Sequence, residues 1–311
     1  MTDLMSRAAG RHRPLVLLTA AMAVLAVVAA VGTLADPRVL TGVPIWLKPF
    51  KFSVSFVLYA ATLAWMLAQL PRRSRVGEWA ASVVVATALV EMVVIVGQVV
   101  RGTTSHYNET SPLNAALWQV MGAAVMALFV AHVVVAVTLL VRRAGDRATR
   151  WAMGFGLGGS ALGMLVAVPM TQPGQAPAES EGITGAHSVG VPDGGPGLPI
   201  LGWSTTGGDL RIGHFVGLHA MQALPILAFL LRRYLGRWLD ERDRVRLLAV
   251  AGTGYGVLTL LLTWQALRGQ PLLRPDLTTL VALAALVAAT ALAGTAVVVS
   301  RRRRPELALA A

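Results

Sequence analysis

Three ionisable residues stand inside long apolar runs of this sequence, namely Glu91, His132 and His219. Ionisable groups are costly inside membrane-spanning helices and usually face the interior of a helix bundle. At about 1.5 Å of helix per residue, counted from the basic residue at the inner edge of each span, all three lie within a slab of about 10 Å near mid-membrane. We therefore expect that these three side chains can meet in space.

Such a trio fits three kinds of chemistry and one purely structural role. Two histidines on facing helices can hold the iron of haem b, and two of His132, His214 and His219 would serve. Two histidines with a carboxylate, here His132, His219 and Glu91, can form a facial metal site. A carboxylate bonded to an imidazole can relay protons, or can simply hold two helices in register. No cofactor is firmly implied by these residue types alone.

A second group of candidates lies in the segment 44–55, PIWLKPFKFSVS. Lys48 and Lys51 are three residues apart, so they share a face if the segment is helical. Trp46 and Phe50 would suit an interfacial anchor at headgroup level. However, these two are the only lysines among 27 basic residues, which favours a pair that faces an anion.

The segment 97–112, GQVVRGTTSHYNETSP, carries more donors and acceptors than a connecting turn uses. Its candidate binding residues are Gln98, Arg101, His106 and Asn108. Ser111 is placed to cap the helix that follows, with Pro112 at the first helical position.

A third polar segment is 207–225, GGDLRIGHFVGLHAMQALP. Its candidate binding residues are Asp209, Arg211, His214, His219 and Gln222. Asp209 is expected to cap the helix, and Gln222 lies one turn from His219 on the same face. Pro225 is expected to kink the helix. Polar side chains beside a broken helix are common at transporter binding sites.

The composition shows what kind of elements must position these residues. The chain has 311 residues, of which 55% are hydrophobic and 14% are charged, and its mean hydropathy is +0.64. Soluble domains have about 25% charged residues. The absence of cysteine excludes disulfides, thiolate nucleophiles and cysteine-ligated metals. We therefore predict a polytopic membrane protein in which all elements are helices.

Eight apolar runs are long enough to cross about 30 Å of hydrocarbon. They form a single domain over 1–311, with spans at about 14–35, 53–70, 78–101, 113–141, 150–170, 209–231, 245–266 and 277–300. The Gly154–Gly158, Gly159–Gly163 and Gly252–Gly256 pairs predict close helix packing.

The basic residues predict the orientation of the bundle. Twenty of the 27 fall on one side of an eight-span arrangement, so both termini should be cytoplasmic. Because the net charge of +12 comes in short blocks between apolar runs, no nucleic-acid partner is expected. The composition, rich in Ala, Val and Arg, is typical of a GC-rich bacterial genome. We therefore expect the lipid bilayer of a bacterial cytoplasmic membrane to be the main partner.

The longest predicted outer loop, 171–208, is rich in glycine and proline and has no Lys or Arg. Loops of this length are usually functional or disordered. Its first part, TQPGQAPAESEG, is typical of a flexible segment. Its second part has apolar anchors, including Val189, Leu198 and Trp203, which would suit a cap over the outer mouth. A cap and a disordered tether are both open interpretations.

The segments KPFKFS, RGTTSHYN and GDLRIGHFVGLHAMQ resemble those of a family of uncharacterised bacterial multi-span membrane proteins. The resemblance covers the second, third and sixth spans and the outer loops beside them. It implies a membrane location and carries no activity and no catalytic residues.

Taken together, the sequence predicts an outward-facing polar cavity that binds or moves a small polar or anionic solute, with proton coupling as an option. The mouth would be formed by Lys48, Lys51, Arg101, His106, Asp209, Arg211 and His214. The floor would be formed by Glu91, His132, His219 and Gln222, and Gln98 and Asn108 complete the candidate set. A membrane redox protein with haem or metal, and a structural or sensory protein, are the alternatives. No nucleotide-binding, serine-hydrolase or zinc-protease motif is present, so an enzyme is not favoured.

Overall fold

The computed structural model describes residues 12–172 and 182–302, and α-helices form most of this part of the chain. The helices are α1 (Arg13–Ala35), α2 (Leu47–Ala68), α3 (Arg75–Arg101), α4 (Pro112–Val141), α5 (Arg147–Leu165), α6 (Arg211–Leu218), α7 (Ala220–Leu235), α8 (Glu241–Leu267) and α9 (Leu277–Arg302). A 3-10 turn, Val168–Thr171, follows α5. The short strands β1 (Val39–Leu40) and β2 (Val43–Pro44) pair with each other, as do β3 (Ser188–Val189) and β4 (Gly208–Asp209).

Among the described residues, seven helical segments are long and apolar enough to cross a membrane. The helices α6 and α7 pass the same test as a pair, with a bend of 42° between them. The count therefore reaches eight if the bent pair is one span. This confirms a helical bundle compatible with a membrane, whereas the side on which the termini lie stays a prediction.

The sixth predicted span is broken at a different residue from the one expected. The break falls at His219, between Leu218 and Ala220, and Pro225 lies within α7. The bend therefore lies six residues before Pro225, and a kink at Pro225 itself stays a prediction. At the break, the backbones of α6 and α5 are in close contact. The contact is so close that a Cβ atom on Gly163 would collide with the backbone of Leu218.

Helix α2 begins at Leu47, six residues before the predicted boundary at 53. Lys48 and Lys51 therefore lie in the first two turns of the helix. Ser111 caps α4 as predicted, since its side chain accepts the N–H of Asn114. The N-cap of α6 is Leu210 and not Asp209, although Asp209 Oδ1 still accepts the N–H of Arg211 at 3.0 Å.

The core of the bundle lies mainly among α1, α2, α3 and α4, with α5 against it. Helix α5 also packs against α6, α7 and α8, and α9 packs against α8 at one edge. The close packing predicted from glycine is present on α5, where a Cβ atom on Gly159 would come within 2.5 Å of the Cβ atom of Ala220. In contrast, a Cβ atom on Gly158 or Gly256 would meet nothing within 4 Å.

The second part of the long loop, 182–209, lies across the end of the bundle at which α2 and α6 begin. It is joined to the α3–α4 loop by the hydrogen bond from Glu109 N to Gly182 O (2.7 Å) and that from Thr184 N to Tyr107 O (2.9 Å). Lys51 Nζ donates to Leu201 O at 2.9 Å. We call 182–209 the cap segment. Residues 173–181, which make up most of the first part of the long loop, lie outside the described residues.

Candidate binding site at the capped end of the bundle

Lys48 is the cation on which the candidate site centres. Its partly buried side chain points over the ring of Phe52, with 5.9 Å between Nζ and the ring centroid. Among the described residues, Nζ of Lys48 has no hydrogen-bond acceptor and no ion pair. Lys51 differs, because its Nζ is bonded to the carbonyl of Leu201 in the cap segment. The two lysines share a helical face as predicted, but only one is engaged.

The electrostatic neighbours of Lys48 come from four different parts of the chain. They are Lys51, Glu91, Asp193 and Arg211. Glu91 is 2% exposed, and its Oε1 is buried without a hydrogen-bond partner among the described residues. Lys48 lies in the first turn of α2, whereas Glu91 lies about 15 Å before the end of α3 at the helical rise, so Glu91 is the deeper of the two. A buried carboxyl group and an unpaired ammonium group thus attract each other without touching.

Aromatic rings form a wall beside Lys48. The ring of His106 lies 5.7 Å from that of Phe52 and 5.6 Å from that of Trp118. Tyr107 packs edge-on against Trp118 at 5.0 Å and against His187 at 5.2 Å. The backbone of Tyr107 has a φ of 58°, an unusual value for a residue with a Cβ atom. The loop therefore holds a strained conformation in which His106 and Tyr107 both face this wall.

Gln98, Arg101 and Asn108 hold the α3–α4 loop in that conformation. Gln98 Nε2 and Arg101 Nη1 both donate to Asn114 Oδ1, at 3.1 and 2.9 Å. Asn108 Nδ2 donates to Thr103 Oγ1 and to a backbone carbonyl, and its Oδ1 accepts the Thr110 hydroxyl at 2.6 Å. These three predicted site residues use their polar atoms within the loop. They therefore hold the loop that carries His106, and none of these bonds is to Lys48.

Two carboxylates organise the site. Asp193 lies within the cap segment, and Asp209 lies at the end of this segment, next to α6. Asp193 accepts hydrogen bonds from His187 Nδ1 (2.8 Å) and from the backbone N–H groups of His187 and Ser188. Although burial opposes it, the hydrogen bond from His187 holds the pKa of Asp193 well below its usual range. Asp209 is fully buried and forms a two-pronged ion pair with Arg211, which also donates to Gly202 O at 2.7 Å.

The histidines of the site are neutral imidazoles at neutral pH. Burial lowers the pKa of His106 well below its ordinary value, and the positive charge of nearby Lys48 lowers it further. Burial also lowers the pKa of His187, more than the bond to Asp193 raises it. The His187–Asp193 contact is therefore a hydrogen bond from a neutral ring to a carboxylate, which leaves His187 Nε2 as an acceptor. The positive charge at this end comes from lysine and arginine.

His214 lies on α6 before the bend in the α6–α7 pair, and His219 lies at the bend itself. His214 Nδ1 donates to Gly163 O at 2.7 Å, which ties α6 to α5. His219 Nδ1 lies 3.2 Å from Gln222 Oε1, and Gln222 Nε2 donates to Thr62 Oγ1 on α2 at 3.2 Å. The prediction that His219 and Gln222 share a face is confirmed by this contact.

His132 lies apart from the other histidines. Its ring is fully buried, Nε2 donates to Leu157 O at 3.0 Å, and Nδ1 accepts the hydroxyl of Tyr59 at 2.8 Å. Because Leu157 contributes a carbonyl, which only accepts, the Nε2–H tautomer is required. No contact among Glu91, His132 and His219 is seen, since His132 is bonded to Tyr59 and Leu157, His219 contacts Gln222, and Glu91 Oε1 has no hydrogen-bond partner among the described residues. No group of three or more His, Asp and Glu side chains in the described ranges could hold a metal ion.

Comparison with protein-family models, curated proteins and solved structures yields no match.

The function of the site is therefore argued from its own residues. The structure brings together Lys48, Lys51, Glu91, His106, Asp209, Arg211 and His214 of the predicted set. Sequence reasoning missed Tyr107, Trp118, His187 and Asp193 as parts of it. The signal for His187 and Asp193 was present, since they are ionisable residues in the part of the long loop whose apolar anchors would suit a cap. Tyr59 gave no such signal, because an isolated tyrosine in an apolar helix does not reveal its partner.

Proposed function

We propose that this integral membrane protein binds a small organic anion at the capped end of the bundle, beside Lys48. The observation that carries the proposal is the ammonium group of Lys48. It lies among packed elements, yet it has no acceptor among the described residues. An ammonium group in such surroundings is costly unless an anion pairs with it. A bound carboxylate would supply that partner.

The surroundings of Lys48 support a particular class of anion. The rings of Phe52, Tyr107 and Trp118 provide apolar faces of the kind that line small-molecule sites. Glu91 Oε1 and His187 Nε2 provide polar atoms that a second functional group could satisfy. A flat carboxylate with an apolar body fits this combination better than inorganic phosphate, which has no apolar surface.

The bent helix pair supports an extension of the proposal from binding to transport. His214 on α6 is electrostatically coupled to His187 in the cap segment and to His219 at the break. Movement of α6 relative to α7 would therefore change the site directly. Broken helices next to polar groups are common at substrate sites of transporters. Proton coupling would run through Glu91 and these histidines.

The test is thermal unfolding of the full chain, purified in detergent, with benzoate as the probe. Benzoate should raise the unfolding temperature, because binding to the folded state adds stability that grows with the logarithm of the benzoate concentration. The gain is about 2.7 kcal/mol at a hundred times the dissociation constant. Benzyl alcohol, which has the same ring without the charge, should have little effect. The substitution Lys48→Met should abolish the benzoate shift.

The matched control is Arg274→Gln, which removes an exposed cation elsewhere in the chain that has no part in the site. This variant should keep the full shift. The proposal is wrong if Lys48→Met responds to benzoate like the parent chain, or if benzyl alcohol stabilises the protein as strongly as benzoate. Both ring nitrogens of His132 are already bonded, so the haem alternative would rest on His214 and His219.

A further inference from the structure

A second polar site lies at the other end of the bundle, where α5 and α8 begin. Arg147, Arg242 and Arg246, with Val245, line a pocket of about 380 Å³. No ion pair engages the three guanidinium groups within residues 12–172 and 182–302. The carboxylates nearby have other contacts, since Glu241 accepts the backbone N–H of Arg147 and Asp146 faces Arg232 at 3.8 Å.

An open apolar groove of about 510 Å³ runs along the same two helices. On α5 it extends from Arg150 and Trp151 to Leu162, a length of about 18 Å at the helical rise. Gly252 and Gly256 of α8 line the opposite side. Because Arg147 lines the pocket, Arg150 lines the groove and the two are three residues apart, the pocket and the groove adjoin one face of α5.

Two details indicate that the groove is unfilled. A Cβ atom on Gly158 or Gly256 would meet nothing within 4 Å, so neither glycine is required for helix contact. The Nε atom of Arg150 is buried and has no hydrogen-bond partner in the described part of the chain. The groove is apolar along its length and basic at one end. It is therefore complementary to a phospholipid, which has apolar acyl chains and a negatively charged phosphate.

We propose that the face between α5 and α8 binds an anionic phospholipid. Arg147, Arg242 and Arg246 contact the headgroup phosphate, Arg150 lies beside the glycerol region, and one acyl chain lies along the groove. Basic pockets between membrane helices are known to recognise anionic headgroups. A soluble anion would leave the groove empty, and a neutral lipid would leave the arginines unpaired. This inference does not depend on the proposed function at the capped end.

Trp151 gives a direct readout, because it lines the groove and is 43% exposed. The full chain is reconstituted in vesicles of phosphatidylcholine or phosphatidylglycerol whose acyl chains carry bromine, which quenches tryptophan fluorescence on contact. The Trp151 signal is the difference between the parent chain and Trp151→Phe. We expect brominated phosphatidylglycerol to quench this signal at a lower mole fraction than brominated phosphatidylcholine.

Two variants separate the headgroup from the chain. Replacement of Arg147, Arg242 and Arg246 by glutamine should reduce the preference for phosphatidylglycerol at least about tenfold, since all three cationic contacts to the headgroup are lost. Gly158→Leu should fill the groove and reduce quenching of Trp151 by both lipids. Replacement of Arg72, Arg75 and Arg142 by glutamine is the matched control, because these exposed arginines do not line the pocket, and it should change nothing.

Equal quenching by the two lipids in the parent chain would overturn the proposal, because it would show a nonspecific lipid shell. Unchanged quenching in Gly158→Leu would also overturn it. Inorganic phosphate should leave the preference intact when compared with chloride at equal ionic strength. If phosphate removes the preference, the pocket takes a free anion and the lipid assignment is wrong. Circular dichroism of each variant checks that the helices remain.

Discussion

At the level of single residues, the buried polar groups of this bundle differ in whether the chain itself satisfies them. His132 has both ring nitrogens bonded, to Tyr59 and to the carbonyl of Leu157, so it holds three helices in register. Glu91 and Lys48 are attracted to each other but are not bonded. A polar group that the fold leaves unsatisfied costs stability, and such groups persist where a ligand completes them. This contrast is why we place the binding site at Lys48 and not at His132.

The neutral histidines of the site predict a loss of stability in acid. The unfolded chain takes up a proton on each imidazole near pH 6.5, whereas burial holds the pKa of His106 and His187 lower in the folded protein. The unfolded state therefore binds more protons, and stability falls as the pH drops below about 6.5. His106 faces the positive charge of Lys48, and in acid also those of His187 and His214 once they are protonated, and these charges act in the same direction.

The measurement is the unfolding temperature of the purified chain between pH 8 and pH 5, which bracket that pKa on either side. The variant His106→Gln should show a smaller decrease than the parent chain. It should not remove the decrease completely, because burial also lowers the pKa of His12 near the start of α1. A parent chain that is equally stable throughout this range would contradict the prediction.

At the level of elements, the α5–α6 contact decides the shape of the sixth span. Gly163 and Gly217 bring the two backbones together, and His214 donates to the carbonyl of Gly163 at 2.7 Å. The hydroxyl of Tyr255 on α8 donates to Val216 O at 2.7 Å, next to the break. Helices α5 and α8 thus both supply hydrogen-bond partners to the last residues of α6. The proline further along is accommodated inside α7.

We expect Gly163→Ala to destabilise the fold, because the new Cβ atom would collide with the backbone of Gly217 and Leu218. Overpacking of this kind costs about 1–3 kcal/mol. Gly158→Ala is the matched control on the same helix, since open space surrounds Gly158 and alanine favours the helix by about 1 kcal/mol. Thermal unfolding of both variants checks the prediction, and equal stabilities would show that the contact is loose.

At the level of the whole molecule, the two ends of the bundle are chemically different. One end has the cap segment, the aromatic wall and the only two lysines. The other end has most of the arginines and the basic pocket. By the positive-inside rule, this asymmetry predicts that the capped end lies outside the cell if the bent pair is one span.

The absence of cysteine makes this arrangement easy to test. Single cysteines are introduced at exposed positions as Arg72→Cys, Gly195→Cys and Trp238→Cys. A membrane-impermeant maleimide should label only the Gly195 variant in intact cells, and all three after the membrane is permeabilised. Labelling of the Trp238 variant in intact cells would mean that α6 and α7 form a re-entrant pair and do not cross the membrane.

The sequence by itself determined the helical membrane class, the approximate spans, the Ser111 cap and the pairing of His219 with Gln222. These features are local, because crossing a membrane requires about 20 apolar residues in a row and a helix cap involves neighbours in the chain. The tertiary structure alone decided the partners of His132, the isolation of Lys48 and the position of the break at His219. Each of these depends on which helix faces which. Contacts such as Gly163 with Leu218 join residues far apart in the sequence, so no local pattern encodes them.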